Sequence, residues 1–77
     1  MSRQIQDQNF LVWEVFPSGG HLGFSQDPYI IFNCLTRPDL RPRRHALHGD
    51  EASAERLVRQ ASDADLLALL QKSGELP

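Results

Sequence analysis

Residues 29–35, with the sequence YIIFNCL, are the most strand-like run in the chain and constrain its fold more than any other feature. The run is rich in β-branched and aromatic residues and is too short to indicate a helix. Pro28 and Pro38 lie close to its two ends and separate it from its neighbours, because proline fixes φ and removes a backbone donor. The run therefore predicts the central strand of a sheet.

Two further runs have strand character. Residues 10–16, FLVWEVF, consist mainly of good β-formers, and residues 43–48 are shorter and more polar. We expect the polar run to form an edge strand, because charged side chains discourage pairing with another sheet. Residues 1–9 contain little apolar side chain beyond Ile5, so we expect a disordered tail before a single domain that covers residues 10–77.

The spacing of apolar residues changes after residue 49, from every second residue, as in a strand, to about every 3.6 residues, as in a helix. We expect N-caps at Asp50 and Ser62, and a left-handed Gly74 after the second helix. One apolar stripe marks the first helix, whereas the leucines of the second helix cover more than one face. The stripe consists of Ala54, Leu57, Val58 and Ala61, and the leucines are Leu66, Leu67, Leu69 and Leu70.

Together these patterns predict the α+β class, with a three-stranded antiparallel β-sheet (β-β-β) followed by two short α-helices packed on one face. A chain of 77 residues forms one small domain with a modest core. We expect that core to lie between one face of the sheet and the helix pair. Its predicted members are Leu57, Val58, Leu66 and Leu70 of the helices, packed on Leu11, Trp13, Ile30 and Phe32 of the strands.

Groups suited to catalysis or metal binding are sparse. Zinc ligands could come from Cys34, His21, His45 and His48, but there is no Cys-x-x-Cys element. His45 and His48 are three residues apart and would point to opposite faces of a strand. Cys34 shares its strand face with apolar residues, which favours a buried thiol over a reactive thiolate. We therefore predict a protein that is not an enzyme, with no catalytic residue, metal site or cofactor.

Apolar side chains exceed what one sheet face requires. Both faces of the two strongest predicted strands are apolar, whereas an antiparallel sheet in a monomer usually gives one face to water. Surplus apolar surface on a small chain indicates a protein-interaction module that binds a protein partner or forms a homodimer. The alternative is that residues 17–28, a long connection, fold across that face. The predicted contact residues are Val12, Phe16, Tyr29, Ile31 and, on the second helix, Leu67.

A basic cluster lies between residues 37 and 44, within a chain whose formal net charge is −2. The cluster could bind anions or an acidic protein partner. The alternative function is an accessory nucleic-acid-binding protein that uses the loop and edge strand 37–48. No aromatic residue interleaves the basic ones, although single-strand binders normally provide such stacking platforms. The cluster consists of Arg37, Arg41, Arg43 and Arg44.

Signals for membrane insertion or secretion are lacking in the sequence. The first nine residues are polar where a secretory signal needs an apolar region. No apolar run approaches the roughly 18 residues that a membrane-spanning helix requires. We expect a cytoplasmic protein that has no membrane partner.

Overall fold

The computed structural model describes residues 2–18, 28–47 and 51–75. These residues form one antiparallel sheet of five strands in the order β1-β2-β3-β4-β5, together with two helices. The strands are β1 (Arg3–Gln6), β2 (Val12–Ser18), β3 (Tyr29–Cys34), β4 (Arg43–Ala46) and β5 (Gly74–Glu75), and the helices are α1 (Glu51–Gln60) and α2 (Asp63–Lys72).

The α+β class, with an antiparallel sheet and two helices, is confirmed, but the predicted number of three strands is wrong. The additional strands lie at the sheet edges, where β1 pairs with β2 and β5 pairs with β4. The prediction that the polar third strand is an edge strand is therefore wrong, because the two residues of β5 pair with it. The structure differs from the expected tail over residues 1–9, because Arg3–Gln6 form β1. One apolar side chain anchors that strand: Ile5 lies opposite Trp13 and is only 2% exposed.

The bounds of β2 are shifted from the predicted 10–16 towards the C-terminus. Phe10 is not part of the strand but of the turn that joins β1 to β2, with φ of 64° and a side chain that is 77% exposed. The carboxylate of Asp7 closes this turn, because its Oδ1 accepts hydrogen bonds from the backbone N–H groups of Asn9 and Leu11. Phe10 lies within this turn, and β2 therefore begins only after it.

The core lies between the helix pair and one face of the sheet, as predicted. Alternate residues of β2 and β3 point to this face, and Val15, Ile30 and Phe32 are 0% exposed. Cys34 is a buried free thiol among them. Leu11 and Leu57 are only partly buried at the edge of this core. The buried members are Ile5, Trp13, Val15, Ile30, Phe32 and Cys34 of the strands, with Ala54, Val58, Leu66 and Leu70 of the helices.

Helix α2 contacts both β1 and β4 and so crosses the sheet. The distance from β1 to β4 is three inter-strand spacings, about 14 Å. A helix of ten residues is about 15 Å long and matches that width. Neither α2 nor the equally short α1 is long and apolar enough to cross a membrane, and these are the helices of the described part of the chain.

The start of α2 agrees with the sequence, but its end does not. The Ser62 side chain caps the helix by accepting a hydrogen bond from the backbone N–H of Asp65 at 3.1 Å. The helix ends at Ser73, whose φ of −74° and ψ of 158° are extended. Gly74 does not adopt a left-handed φ, so that prediction is wrong. An extended backbone is required here because Gly74 passes directly into β5. The predicted cap of α1, Asp50, lies outside the described residues.

Candidate protein-interaction surface

The side of the sheet that faces away from α1 and α2 is called the outer face here. No described helix or strand covers it, and the segment 19–27 lies outside the described residues. Its side chains belong to the residues that alternate with the core residues on each strand. They are Gln4 and Gln6 on β1, Val12, Glu14, Phe16 and Ser18 on β2, Tyr29, Ile31 and Asn33 on β3, and Arg44 and Ala46 on β4.

An apolar centre forms on this face where β2 and β3 pair. Phe16 lies directly opposite Ile31, and Tyr29 is the next outward residue along β3. Side chains in such positions have Cβ atoms about 4.5–5.5 Å apart across the pair. Each of the three is half-buried by its neighbours within the sheet. The structure thus brings together three of the predicted contact residues.

Val12 lies on the same face but nearer one end of the sheet, because Glu14 separates it from Phe16 along β2. The carbonyl of Val12 accepts a hydrogen bond from the backbone N–H of Leu35 at 2.8 Å. The Leu35 side chain is itself 44% exposed. Val12 therefore extends the apolar surface past a single acidic residue.

Charged residues flank the apolar centre on both sides of β3. Glu14 on β2 lies opposite Asn33, and Arg44 on β4 lies opposite Ile31. The Arg44 guanidinium is 5.6 Å from the centroid of the Tyr29 ring, which is a cation–π distance. The Glu14 carboxylate has no hydrogen-bond or ion-pair partner in the described part of the chain.

The basic cluster does not form one surface. In the loop between β3 and β4, Arg37 binds Asp39 at 2.7 Å, and both side chains are more than half exposed. Their mutual hydrogen bond raises the pKa of Arg37 and lowers the pKa of Asp39. Arg41 is exposed in the same loop. Of the four arginines, Arg37 and Arg41 in this loop and Arg44 on β4 are exposed at the surface.

Arg43 has a structural role on the opposite side of the sheet from Arg44. Its Nε donates to Oγ of Ser73 at 2.8 Å, and its Nη2 donates to the carbonyl oxygen of the same residue. The Ser73 hydroxyl also donates to the carbonyl of Leu70. Arg43 therefore binds the C-terminus of α2, where backbone carbonyls lack helical partners.

Arg3 binds the segment where α1 ends and α2 begins. Its Nη1 donates to the carbonyl oxygen of Val58 at 3.1 Å and to that of Ala61, and its Nη2 donates to Oδ1 of Asp63 at 2.5 Å. One guanidinium thus satisfies carbonyls at the end of α1 and pairs with a carboxylate in the first turn of α2. Arg3 could not be predicted from the sequence, because a single arginine in a polar stretch gives no signal for a contact so distant along the chain.

Asp7 is a second residue whose structural role was not predicted from the sequence. Besides holding the turn, its Oδ2 accepts a hydrogen bond from Nε1 of Trp13 at 3.0 Å. Burial by itself would raise the pKa of Asp7, but hydrogen bonds from Trp13, Leu11 and Asn9 outweigh it and hold that pKa below the ordinary 3.8. The Asp-x-Asn turn signal between Ile5 and Leu11 was the available clue.

Leu67 is separated from the other predicted contact residues by the sheet. It lines a cleft of about 440 Å³ on the helix side, at the end of the sheet near the β1–β2 turn. Apolar side chains of β2, α2 and the β3–β4 loop form the cleft wall, and polar side chains surround it. The apolar members are Trp13, Leu40, Leu67 and Leu70, and the polar ones are Asp7, Gln8, Asn9, Arg43, Gln71 and Glu75.

Within the described residues, no group of three or more His, Cys, Asp or Glu side chains is placed to hold a metal ion. Of the four residues weighed as zinc ligands, Cys34 is buried in the core and His45 is half-buried on β4. His21 and His48 lie outside the described residues. Comparison of the chain with protein families, curated proteins and solved structures finds no match.

Proposed function

We propose that this chain is a non-enzymatic, cytoplasmic protein-interaction module that self-associates as a homodimer through its outer face. The observation that carries this function is the apolar centre formed by Phe16, Ile31 and Tyr29 on a face that no described element covers. Polar residues surround this centre, as at many protein interfaces. Helix α2 and the core occupy the opposite face of the sheet, so association through the outer face does not compete with folding.

The physical basis is removal of apolar surface from water. Complete burial of a side chain such as Phe or Ile contributes about 1.5–3 kcal/mol, and a side chain that is already half-buried contributes less. Association costs about 4–15 kcal/mol in lost translational and rotational freedom. A two-fold interface doubles each contribution, because every contact residue is present twice. The patch is therefore better matched to a second copy of itself than to a small ligand.

The arrangement of the arginines gives less support to the alternative of nucleic-acid binding. Affinity for phosphates requires several free cationic groups along one surface. Arg37 is paired with a carboxylate, and Arg43 binds the end of α2 on the opposite side of the sheet from Arg44. No single surface then holds the whole cluster.

The test replaces Ile31 at the centre of the patch with lysine. We expect Ile31→Lys to lower the average mass in light scattering towards that of one chain, because a buried interfacial ammonium would lack a partner. The matched control is Gln60→Lys, which introduces the same group at an exposed position on α1. Circular dichroism establishes that both variants are folded. An unchanged mass for folded Ile31→Lys would overturn the proposal.

A further inference from the structure

We infer that two copies pack face to face about a two-fold axis that runs along β3, with Glu14 of each copy bound to Arg44 of the other. This inference rests on the proposed function and specifies its partner and geometry. It derives from the placement of one acidic and one basic side chain on opposite sides of the apolar centre.

The strand order determines what such an axis brings together. Glu14 lies on β2 and Arg44 on β4, and β3 is the strand between them. Rotation about an axis along β3 exchanges the two sides of the outer face, so β2 of one copy faces β4 of the other. Ile31, on β3 itself, then faces Ile31 of the second copy. Phe16 of one copy then faces Arg44 of the other, because both residues pair with Ile31 within their own sheet. The aliphatic stem of Arg44 covers Phe16, and its guanidinium reaches Glu14.

The register places the charges within reach of each other. Glu14 lies opposite Asn33 and Arg44 lies opposite Ile31, so the two are offset by two residues along the strands. Two residues span about 7 Å, and packed sheets are about 10 Å apart. An extended arginine and an extended glutamate cover this separation from opposite sheets, because both side chains are long and unbranched. Each dimer contains two such pairs.

Charge also favours this axis over one that is perpendicular to the strands. An axis perpendicular to the strands would place β2 on β2 and β4 on β4. The two Glu14 side chains would then lie on facing β2 strands and the two Arg44 side chains on facing β4 strands, and like charges brought together in this way disfavour a complex. Among the described residues, neither Glu14 nor Arg44 has a hydrogen-bond or ion-pair partner, and the Arg44 guanidinium lies beside the Tyr29 ring. No ion pair in the described part of the chain therefore competes with pairing of the two groups between copies.

Charge reversal gives a test that separates pairing between copies from effects within one chain. Glu14→Lys and Arg44→Glu each replace two attractions per dimer by two repulsions, so each variant alone should dimerise at least about tenfold more weakly than wild type. An equimolar mixture of the two should regain tight association. In that mixed dimer the introduced lysine of one copy meets the introduced glutamate of the other, while the unchanged Glu14 and Arg44 form the second pair. The double variant E14K/R44E should also recover.

The controls are Glu55→Lys and Arg59→Glu, which make the same charge changes on exposed positions of α1. Neither control, alone or mixed, should alter the dissociation constant in sedimentation velocity. Should a reversal variant fail to fold, Glu14→Gln and Arg44→Gln remove the charge more mildly. Each alone should raise the dissociation constant, and mixing the two should recover it in part, because the mixed dimer keeps one Glu14–Arg44 pair.

The possible outcomes separate the two-fold axis along β3 from the proposed self-association on which it rests. A wild-type chain that stays monomeric would overturn both. A wild-type dimer that Ile31→Lys dissociates, but that the charge reversals leave unchanged, would overturn the axis and the charge pairs while the outer face remains the interface. Loss in the single variants without recovery in the mixture would also overturn the pairing.

Discussion

The guanidinium of Arg43 donates two hydrogen bonds to Ser73, thirty residues later in the sequence, and so fixes the end of α2 to β4. Arg44, the next residue, points to the opposite side of the sheet and contacts Tyr29. Alternation along one strand thus gives two adjacent arginines different roles. One stabilises the fold and the other is available to a partner.

Alanine substitution should separate these roles. Arg43→Ala leaves the buried Ser73 carbonyl without its charged donor, so we expect a loss of about 1–3 kcal/mol in the free energy of unfolding. Arg44→Ala should lower the free energy of unfolding of the monomer by no more than about 0.5–1 kcal/mol, since its side chain is exposed and loses only the cation–π contact with Tyr29. Urea denaturation at a low protein concentration measures both. Equal losses for the two variants would contradict the assignment.

Arg3 should contribute to stability although it lies near the start of the chain. Arg3→Ala removes the donor to Val58, Ala61 and Asp63 and should cost about 1–3 kcal/mol, mostly from the two carbonyls, because the partner carboxylate is 67% exposed. The matched control is Arg41→Ala, at an exposed loop position. If residues 1–9 form a disordered tail instead, both substitutions should leave the urea midpoint unchanged.

Asp7 should make the fold sensitive to acid. Its pKa in the folded state is below the ordinary 3.8, so the unfolded chain binds the proton more tightly. The stabilisation is therefore fully present above about pH 4 and is lost as the pH falls through the folded-state pKa. Asp7→Asn lacks this contribution. The drop in unfolding free energy between about pH 6 and pH 2.5 should be smaller for Asp7→Asn than for wild type. An identical drop would show that Asp7 is not stabilised as an anion.

Leu67 tests which apolar surface mediates association. The sequence pattern assigns it to the contact surface, but the structure places it in the helix-side cleft. Leu67→Glu should therefore leave the dimer dissociation constant within about twofold of wild type, since distant sites act independently. Sedimentation velocity measures this constant directly. A monomeric but folded Leu67→Glu would transfer the interface to the cleft.

The central strands and both helices could be predicted from the sequence because their apolar periods extend over several residues. The edge strands could not. β1 carries a single buried apolar side chain, Ile5, and the two residues of β5 are Gly74 and Glu75, which have low strand propensity. Both strands depend on pairing with a neighbour that is already in place, and such tertiary effects override local propensity.

The candidate surface was predictable only in part. Strand parity alone places Val12, Phe16, Tyr29 and Ile31 on one face. It could not show that Leu67 lies on the other side of the sheet, because that depends on how α2 crosses the strands. Nor could it show that Glu14 and Arg44 flank the apolar centre, since strand order and register are needed for that.

Sedimentation equilibrium of the wild-type chain tests the proposed self-association most directly. Over a range of about 1 to 300 µM, the average mass should rise from the 8.7 kDa of one chain towards twice that value and fit a monomer–dimer equilibrium. A mass that stays at 8.7 kDa over the whole range would contradict association through the outer face.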